Sequence, residues 1–564
     1  MQIKSSITVF ISLFFINNYI LGVENMDQAA KIFLEKHELL MRPLEISANL
    51  AWWEANTTGS ATAFERKEKA QNKIDEALSR PELFQEIKSL KENKDQIKDK
   101  LLLRSVRVLY LIYLEKQVPL ELLKRSSALS NKVEQAFNSF RPMIGGKESS
   151  ENDVRKILKN SFDSFARKEA WEASKKVGSL LEKDMKDLVL TRNKIAQHLK
   201  FSTYHELQLF LNEQNGKDLI QLFDKLDTLT REPFNAVKEE IDIKLASMYK
   251  LDKKELMPWH YHDPFFQEAP AIFGLSLDKP FEKADLLDFS RKFYKGIGLP
   301  VDRVIANSDL YEKKGKSPHA FCTDIDKSGD VRVLANVKPD DYWASTLLHE
   351  FGHAVYSTNN NNIPSTLPYL LRSECHILAT EGVAMMFERL TKSSSFLKAM
   401  GLQVDDAVNF DIAASKNLKH RLLIFSRWCQ VMLRFEKAMY ENPDQDLNLL
   451  WWSLVTKYQG ITKPRDRNFP DFASKIHIVS APVYYHNYML GELFASQVHH
   501  AIAKELYPDK KLSEVIYAGN TKVGDFMLKK VFAPGKSMSW QELVKFATGS
   551  ELEPFAFSLD FKQN

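Results

Sequence analysis

The sequence predicts a mainly α-helical protein that carries a small β-hairpin. Gly (20) and Pro (21) together make up about 7% of the 564 residues, below the usual share of about 12%, which favours long helices over many tight turns. Leu83 to Ile97 and Leu101 to Leu114 place apolar residues at three- and four-residue steps, the period of an amphipathic helix. Val331 to Leu334 is typical of a strand, and the preceding Ser328-Gly329-Asp330 predicts the turn of a hairpin.

Composition and charge exclude several classes of protein. Hydrophobic residues at 44% and charged residues at 27% are ordinary for a globular protein, which excludes a disordered, collagen-like or multi-span membrane protein. The net charge of +4 is too small for this length to attract nucleic acid or an anionic membrane through the field of the whole protein. We therefore expect no nucleic-acid partner, and a partner selected by a few local groups.

The N-terminus has the order of a secretory signal. Lys4 precedes a mostly apolar run from Ile7 to Ile16, which is too short for a comfortable transmembrane helix. Removal of residues 1–22 would leave residues 23–564 as a secreted or periplasmic protein without stable membrane insertion. The alternative is an uncleaved anchor, because Ile20 stands where a small residue is preferred at the cleavage site.

The segment His349-Glu350-Phe351-Gly352-His353 has the spacing of a zinc site. On a helix, two histidines four residues apart differ by about 40° around the axis, so both imidazoles can meet one cation while Glu350 lies beside it. With 14 His, and with all 74 acidic residues counted, composition predicts fewer than about 0.05 such matches. The pattern therefore predicts a catalytic zinc site, and a buried helix with a non-functional histidine pair is the alternative.

A catalytic zinc site with two histidines needs a third protein ligand. Glu374, Glu381 and Glu388 follow at seven-residue steps and share one helix face, so spacing alone does not choose between them. We favour Glu381, because the small residues within Ala379 to Ala384 allow its helix to approach the one that carries His349. Glu374 and Glu388 stay open as alternative ligands, or as members of a solvated or ion-paired face.

A third group of polar and aromatic residues lies far downstream, from Ser474 to Tyr488. Amide hydrolysis develops an oxyanion on the former carbonyl, and a His or Tyr donor aimed at it stabilises the transition state. Lys475 has the charge to bind a substrate carboxylate. The alternative is that these side chains are packed and hydrogen-bonded without a role in catalysis.

Taken together, these segments resemble the angiotensin-converting-enzyme family of zinc peptidyl-dipeptidases. Three blocks in the same order carry the likeness, and they are Pro318-His319-Ala320 with the following strand, His349 to His353 with Glu381, and Lys475-Ile476-His477 with Tyr485 and Tyr488. The resemblance implies a mostly helical ellipsoid of two halves around a deep channel. It also implies one catalytic unit across residues 23–564.

The resemblance implies a role for each matching residue. His349, His353 and Glu381 would bind Zn²⁺, and Glu350 would be the general base that later protonates the leaving amine. The remaining matches concern the substrate, with His319 and Ala320 as contacts to its backbone, His477 and Tyr488 as oxyanion stabilisers, and Lys475 and Tyr485 as the grip on the C-terminal carboxylate.

The sequence departs from the family pattern in three places. Met385 stands where an acidic residue would orient a metal-binding imidazole, so another acid such as Glu374 or Asp341 must serve, or the role is absent. Asn487 replaces an arginine that helps to bind chloride in the family, which argues against chloride activation. One extra residue separates His477 from the tyrosines and makes their assignment less secure than that of His477.

We therefore expect a zinc metallopeptidase that acts on short peptides admitted to a channel and releases C-terminal dipeptides. The tyrosine-rich block also resembles the thimet oligopeptidase and oligoendopeptidase group, so internal cleavage is an alternative. A catalytically silent peptide-binding protein is a second alternative, although Glu350 between the two histidines argues against it. A structural helical protein with a chance motif would bind no metal, and the sequence leaves the oligomeric state open.

Overall fold

The computed structural model describes residues 25–270, 272, 276–362 and 367–561, so the signal-like residues 1–22 lie outside it. Its α-helices are α1 (Met26–Thr58), α2 (Ala61–Leu78), α3 (Pro81–Glu92), α4 (Lys100–Glu115), α5 (Leu120–Ser139), α6 (Glu151–Asn160), α7 (Ser164–Lys175), α8 (Val177–His198), α9 (Tyr204–Leu211), α10 (Gly216–Tyr249), α11 (Leu286–Gly296), α12 (Asp302–Asn307), α13 (Asp341–Asn362), α14 (Ile377–Glu388), α15 (Ser394–Ala399), α16 (Ala407–Glu441), α17 (Leu447–Gln459), α18 (His477–Ser480), α19 (His486–Leu506), α20 (Thr521–Met527), α21 (Trp540–Thr548) and α22 (Phe555–Leu559). Within the described ranges, none of these helices has the length and apolar character that a membrane crossing requires.

Two antiparallel hairpins complete the secondary structure. The first pairs β1 (Met143–Ile144) with β2 (Lys147–Glu148), and the second pairs β3 (Phe321–Asp324) with β4 (Val331–Leu334). The mainly helical fold with a small hairpin that the sequence predicts is confirmed.

The periodic segments of the sequence form helices for local reasons. In α4 the side chain of Asp99 accepts hydrogen bonds from the backbone N–H groups of Leu101 and Leu102, which satisfies two donors at the helix start. Pro81 occupies the first turn of α3, where its missing N–H costs nothing. The apolar stripe predicted over residues 83–97 is split, because α3 ends at Glu92 and a short 3-10 turn follows it.

Close contacts at glycines set the positions of the central helices. A Cβ atom on Gly352 of α13 would lie 2.9 Å from the Cα of Ala384 in α14. A Cβ atom on Gly382 of α14 would lie 2.8 Å from the carbonyl oxygen of Gly491 in α19. The small residues around Glu381 therefore do bring α14 against α13, as expected, but Gly382 itself faces α19. This layer of three helices carries the candidate site.

Helix α1 holds the β3–β4 hairpin beside that layer. The ring of Trp52 packs on Phe321 with centroids 4.3 Å apart. The side chain of Asn49 donates to the carbonyl oxygens of Asp324 and Ile325 at 3.2 and 3.0 Å. These contacts hold strand β3 and the turn of the hairpin against helix α1.

Candidate metal centre and active site

Helix α13 presents two imidazoles to one point. The Nε2 atoms of His349 and His353 lie 3.1 Å apart, and their rings meet edge to face with centroids 4.8 Å apart. Tetrahedral zinc with Zn–N distances near 2.0 Å places two nitrogen ligands about 3.3 Å apart. The separation of the two nitrogens therefore fits two ligands of one zinc ion.

Helix α14 supplies the carboxylate of Glu381 to the same point. Its Oε2 atom lies 3.6 Å from Nε2 of His349 and 3.9 Å from Nε2 of His353. Among the described residues, these three form the only group of His, Cys, Asp and Glu side chains whose ligand atoms are all close enough to share an ion. Two imidazoles and one carboxylate are a donor set of catalytic zinc sites. The residues therefore fit the ion that the sequence predicts.

The outer nitrogen of each imidazole has its own partner. Nδ1 of His349 lies 2.7 Å from Oε2 of Glu388, and Nδ1 of His353 lies 2.7 Å from the hydroxyl of Thr380. Arg421 of α16 pairs with the other oxygen of Glu388 at 2.8 Å. Such partners orient metal-binding imidazoles and leave Nε2 for the metal.

Glu388 thus occupies the role for which the sequence suggested Glu374 or Asp341, and that suggestion is wrong. The carboxylate of Glu374 accepts a hydrogen bond from Ser357, and Asp341 pairs with Lys392. Glu388 also does not reach the metal position as a ligand, because its two oxygens are engaged by His349 and Arg421.

The two imidazoles differ in their electrostatic surroundings. Burial lowers the pKa of His349, but the hydrogen bond and charge of Glu388 outweigh burial and raise this pKa to about 9. Burial and the charge of His349 hold the pKa of His353 well below its usual range. An imidazole nitrogen must be free of a proton to bind a metal ion, so cation binding at this point depends on pH.

Glu350 lies on the same helix and is buried beside the two imidazoles. Burial raises the pKa of its carboxyl to about 7, while the charge of His349 and a hydrogen bond from the backbone N–H of Cys322 oppose the shift. Strand β3 thereby touches the carboxyl group. A carboxylate with a pKa close to neutrality is suited to accept and return a proton.

The tyrosines enter the site from the loop before α19 and from the first turn of that helix. The hydroxyl of Tyr484 is hydrogen-bonded to Glu381, and burial together with the charge of that carboxylate raises the pKa of Tyr484 far above its usual range. Tyr488 packs on Tyr484 with ring centroids 5.2 Å apart, and Tyr485 packs on Tyr488 at 5.4 Å. Sequence reasoning did not single out Tyr484, although it stands next to Tyr485 in the same tyrosine-rich block.

Lys475 stands at the far end of the same aromatic row. Its Nζ lies 5.3 Å from the ring centroid of Tyr485, at the same distance from Phe265 and Trp428, and it donates to Oε1 of Gln267 at 2.7 Å. Burial lowers the pKa of Lys475 to about 8. Gln267 was missed by sequence reasoning, since it belongs to an irregular segment 208 residues away.

His477 lies between this row and His319. Its ring packs on Tyr485 with centroids 5.4 Å apart, and its buried Nδ1 has no hydrogen-bond partner among the described residues. Burial, Lys475 and His319 lower the pKa of His477 to about 4, so the imidazole is neutral at physiological pH. His319 is exposed, and Ala320 next to it is partly exposed just before β3. An unpaired buried nitrogen is available to a ligand.

Comparison with known proteins was made on the whole chain. The family model described as angiotensin-converting enzyme, Peptidase_M2, matches residues 273–556, which is half of the chain. The chain belongs to the angiotensin-converting enzyme family of peptidases. The match covers α11 to α21 and the start of α22, and so includes both imidazoles, Glu381 and the tyrosine loop.

Relatives of this chain come from distant animals. Angiotensin-converting enzyme of Theromyzon tessulatum is 22% identical over 308 residues, which is 52% of this chain and 49% of that protein. Angiotensin-converting enzyme-like protein Ace3 of Mus musculus is 24% identical over 491 residues, or 79% and 64%. Angiotensin-converting enzyme-related protein of Drosophila melanogaster is 23% identical over 359 residues, or 60% and 50%. The matched segments thus span about half to two thirds of these relatives' own length.

In this family member, the side chain of Asn487 is buried and forms its hydrogen bond within the protein. Its Oδ1 accepts a hydrogen bond from Nε2 of Gln214 at 2.7 Å, and Oε1 of Gln214 lies 2.8 Å from Nε2 of His486. Both Asn487 and His486 are buried. A neutral amide pair therefore fills the place where the family pattern has an arginine.

Proposed function

We propose that this peptidase is zinc-dependent and releases dipeptides from the C-terminus of short peptides. One observation carries the proposal, namely a continuous row of contacts that joins the three candidate metal ligands to a buried cation. The row runs from Glu381 through Tyr484, Tyr488 and Tyr485 to Lys475. This row supports a site in which one wall carries both the groups that act on the attacked bond and the group that binds a free carboxylate.

His349, His353 and Glu381 would hold the zinc ion. When bound, zinc supplies a Lewis acid that polarises the attacked carbonyl and lowers the pKa of a coordinated water. Glu388 and Thr380 orient the two imidazoles through Nδ1, so that Nε2 of each ring points to the common position.

Glu350 would be the general base. Its buried carboxylate takes the proton from the attacking water and returns it to the leaving amine. The N–H of Cys322 fixes one side of this carboxylate, which keeps it beside α13 while the proton moves. His477 and Tyr488 are the proposed donors to the oxyanion, and the neutral imidazole of His477 has a proton to donate.

Lys475 and Gln267 would bind the C-terminal carboxylate of the substrate, with Tyr485 beside them. Neighbouring rings of the row have their centroids 5.2 to 5.4 Å apart. His319 and Ala320, which directly precede β3, are the proposed contacts to the substrate backbone.

Product analysis by mass spectrometry tests this function. We expect purified protein to release dipeptides from peptides with a free C-terminus, to lose this turnover with a chelator and to regain it with zinc. A C-terminally amidated copy of each peptide is the matched control and should be a poor substrate. Internal cleavage indifferent to amidation would replace the proposal by an oligoendopeptidase, and peptide binding without turnover at full zinc occupancy would replace it by a binding protein.

We also propose that residues 1–22 are removed during export and that residues 23–564 form one catalytic unit outside the cytoplasm. One apolar core runs from Val133 to Phe561, and a second core of the N-terminal helices includes Leu370 and Leu371 from the C-terminal part, which supports a single unit. N-terminal sequencing of the protein purified from the periplasm or the medium of an expressing cell tests the export step. A protein retained with an intact N-terminus contradicts it.

A further inference from the structure

The backbone just before the tyrosines has an unusual conformation. Val483 is buried and has φ +54°, in the left-handed region that β-branched residues rarely adopt. It directly precedes Tyr484, so its φ and ψ angles set the direction in which Tyr484 leaves the loop. A backbone of this kind persists only where its surroundings hold it.

Glu436 is in contact with that backbone. Its Oε1 accepts a hydrogen bond from the N–H of Val483 at 2.7 Å, and the side chain is 3% exposed in the middle of the protein. Burial raises the pKa of this carboxyl to about 8. Burying a carboxyl group costs free energy unless it forms a hydrogen bond, and here its partner is a backbone amide. An apolar side chain at this position could not accept that hydrogen bond.

The other end of the same loop is held by Arg192 of α8. Its guanidinium donates to the carbonyl oxygens of Ile478 and Val479 at 3.1 and 2.7 Å. The loop between α18 and α19 is therefore fixed at both ends by buried charged groups from different helices. Only the contact of Glu436 lies next to a tyrosine of the site.

We infer that Glu436 is a positioning residue, whose carboxyl holds Val483 in the left-handed conformation and thereby aims the hydroxyl of Tyr484 at Glu381. Tyr484 in turn packs against Tyr488, so the contact of Glu436 orients two hydroxyl groups at the reaction site. The inference rests on the proposed peptidase function for its kinetic consequence. The loop conformation itself does not depend on that function.

Three variants test the inference by kinetics. Glu436→Met keeps the volume but removes the acceptor, and we expect kcat to fall about 10- to 100-fold with KM within about threefold, because small misplacements of reacting groups are costly. Glu436→Gln keeps an acceptor oxygen for Val483 and should stay within about threefold of the wild type. Adding Val483→Gly to Glu436→Met should restore part of kcat, because glycine adopts positive φ without strain.

Asp411→Leu is the matched control. Asp411 lies on the same helix α16, and its side chain also accepts a hydrogen bond from a backbone N–H group, in this case that of Ser394. It stands 25 residues before Glu436, about 37 Å along the helix axis. It should change stability without changing kcat selectively. An equal loss of kcat in Asp411→Leu, or no loss in Glu436→Met, would overturn the inference.

Amide hydrogen exchange gives a readout that does not need activity. The N–H of Val483 should exchange at least tenfold faster in Glu436→Met than in the wild type or in Glu436→Gln. Unchanged exchange would refute the role of Glu436 even in an active enzyme. An inactive wild type with the expected exchange pattern would instead refute the peptidase function and leave the contact intact.

Discussion

The two sides of the candidate site are built in different ways. On the metal side, His349, His353 and Glu381 stand on two helices that touch at Gly352 and Ala384. On the tyrosine side, Tyr484 extends from a loop whose backbone is held by one hydrogen bond to Glu436, while Arg192 holds the end of α18 before it by two.

The difference separates two requirements of such a site. Metal ligands must keep fixed mutual distances, and helix packing provides this because its geometry is shared by many contacts. Donors to a substrate must be aimed at one atom, and a loop can adopt the unusual backbone angles that this needs. We therefore expect substitutions of the metal ligands, of their hydrogen-bond partners and of the helix contacts to change metal binding and stability. Substitutions of Glu350 and of the tyrosine side should change kinetics instead.

The largest effect is expected for Glu350→Gln. The amide has almost the same size but cannot accept the proton of the attacking water, so peptide turnover should fall by about 10² to 10⁴-fold. Zinc content, measured by atomic absorption, should stay equal to that of the wild type. Unchanged turnover at full zinc content would remove Glu350 from the mechanism.

Glu388→Ala should weaken zinc binding by about 10- to 100-fold, because Nδ1 of His349 loses the carboxylate that orients it. Competition with a fluorescent chelator measures the affinity. Glu374→Ala is the control, since Glu374 contacts Ser357 and neither imidazole. Equal affinities in the two variants would mean that Glu388 is not the orienting acid.

Lys475 should produce a pH dependence on the substrate side. Its pKa of about 8 lies below the usual value, so the amine is charged below pH 8 and becomes neutral above it. For a peptide with a free C-terminus, kcat/KM should fall about tenfold per pH unit above this point. Lys475→Met should lower kcat/KM about 10- to 100-fold at pH 7 and should no longer show this fall at high pH. If the fall of kcat/KM above pH 8 persists in Lys475→Met, the titration of another group causes it.

Gly352→Ala should lower the free energy of unfolding by about 1–3 kcal/mol, because its Cβ would lie 2.9 Å from the backbone of α14. Urea denaturation followed by circular dichroism measures this change. Gly296→Ala is the control, since its Cβ meets only ordinary contacts at 3.5 Å. It should be neutral or slightly stabilising, and a Gly352→Ala variant of equal stability would contradict the close packing of α13 and α14.

Sequence reasoning predicted much of the metal side and less of the tyrosine side. Two histidines on one helix lie close together whatever the tertiary fold, so five consecutive residues were sufficient. Spacing alone did not show which role each of the three glutamates has. Glu388 is the one that turns toward Nδ1 of His349, and it is held there by Arg421, which lies 33 residues after it in the chain.

The loop was harder for a physical reason. No local rule places a valine at positive φ, because the conformation of Val483 depends on a carboxyl group 47 residues earlier in the chain. The same holds for Gln267, whose amide meets Lys475 only after several helices have packed. The fold class was easier to predict, since it follows from helix period and the scarcity of Gly and Pro.

The contacts of α1 with the β3–β4 hairpin limit how far this protein can be shortened. The family match begins at residue 273, yet Phe321 in that region is covered by Trp52, and the turn of the hairpin is tied to Asn49. Cutting the chain at the start of the match would uncover the outer side of the strand whose Cys322 amide contacts Glu350. The N-terminal helices thus support the strand that contacts Glu350, and a shortened protein has to retain them to keep this contact.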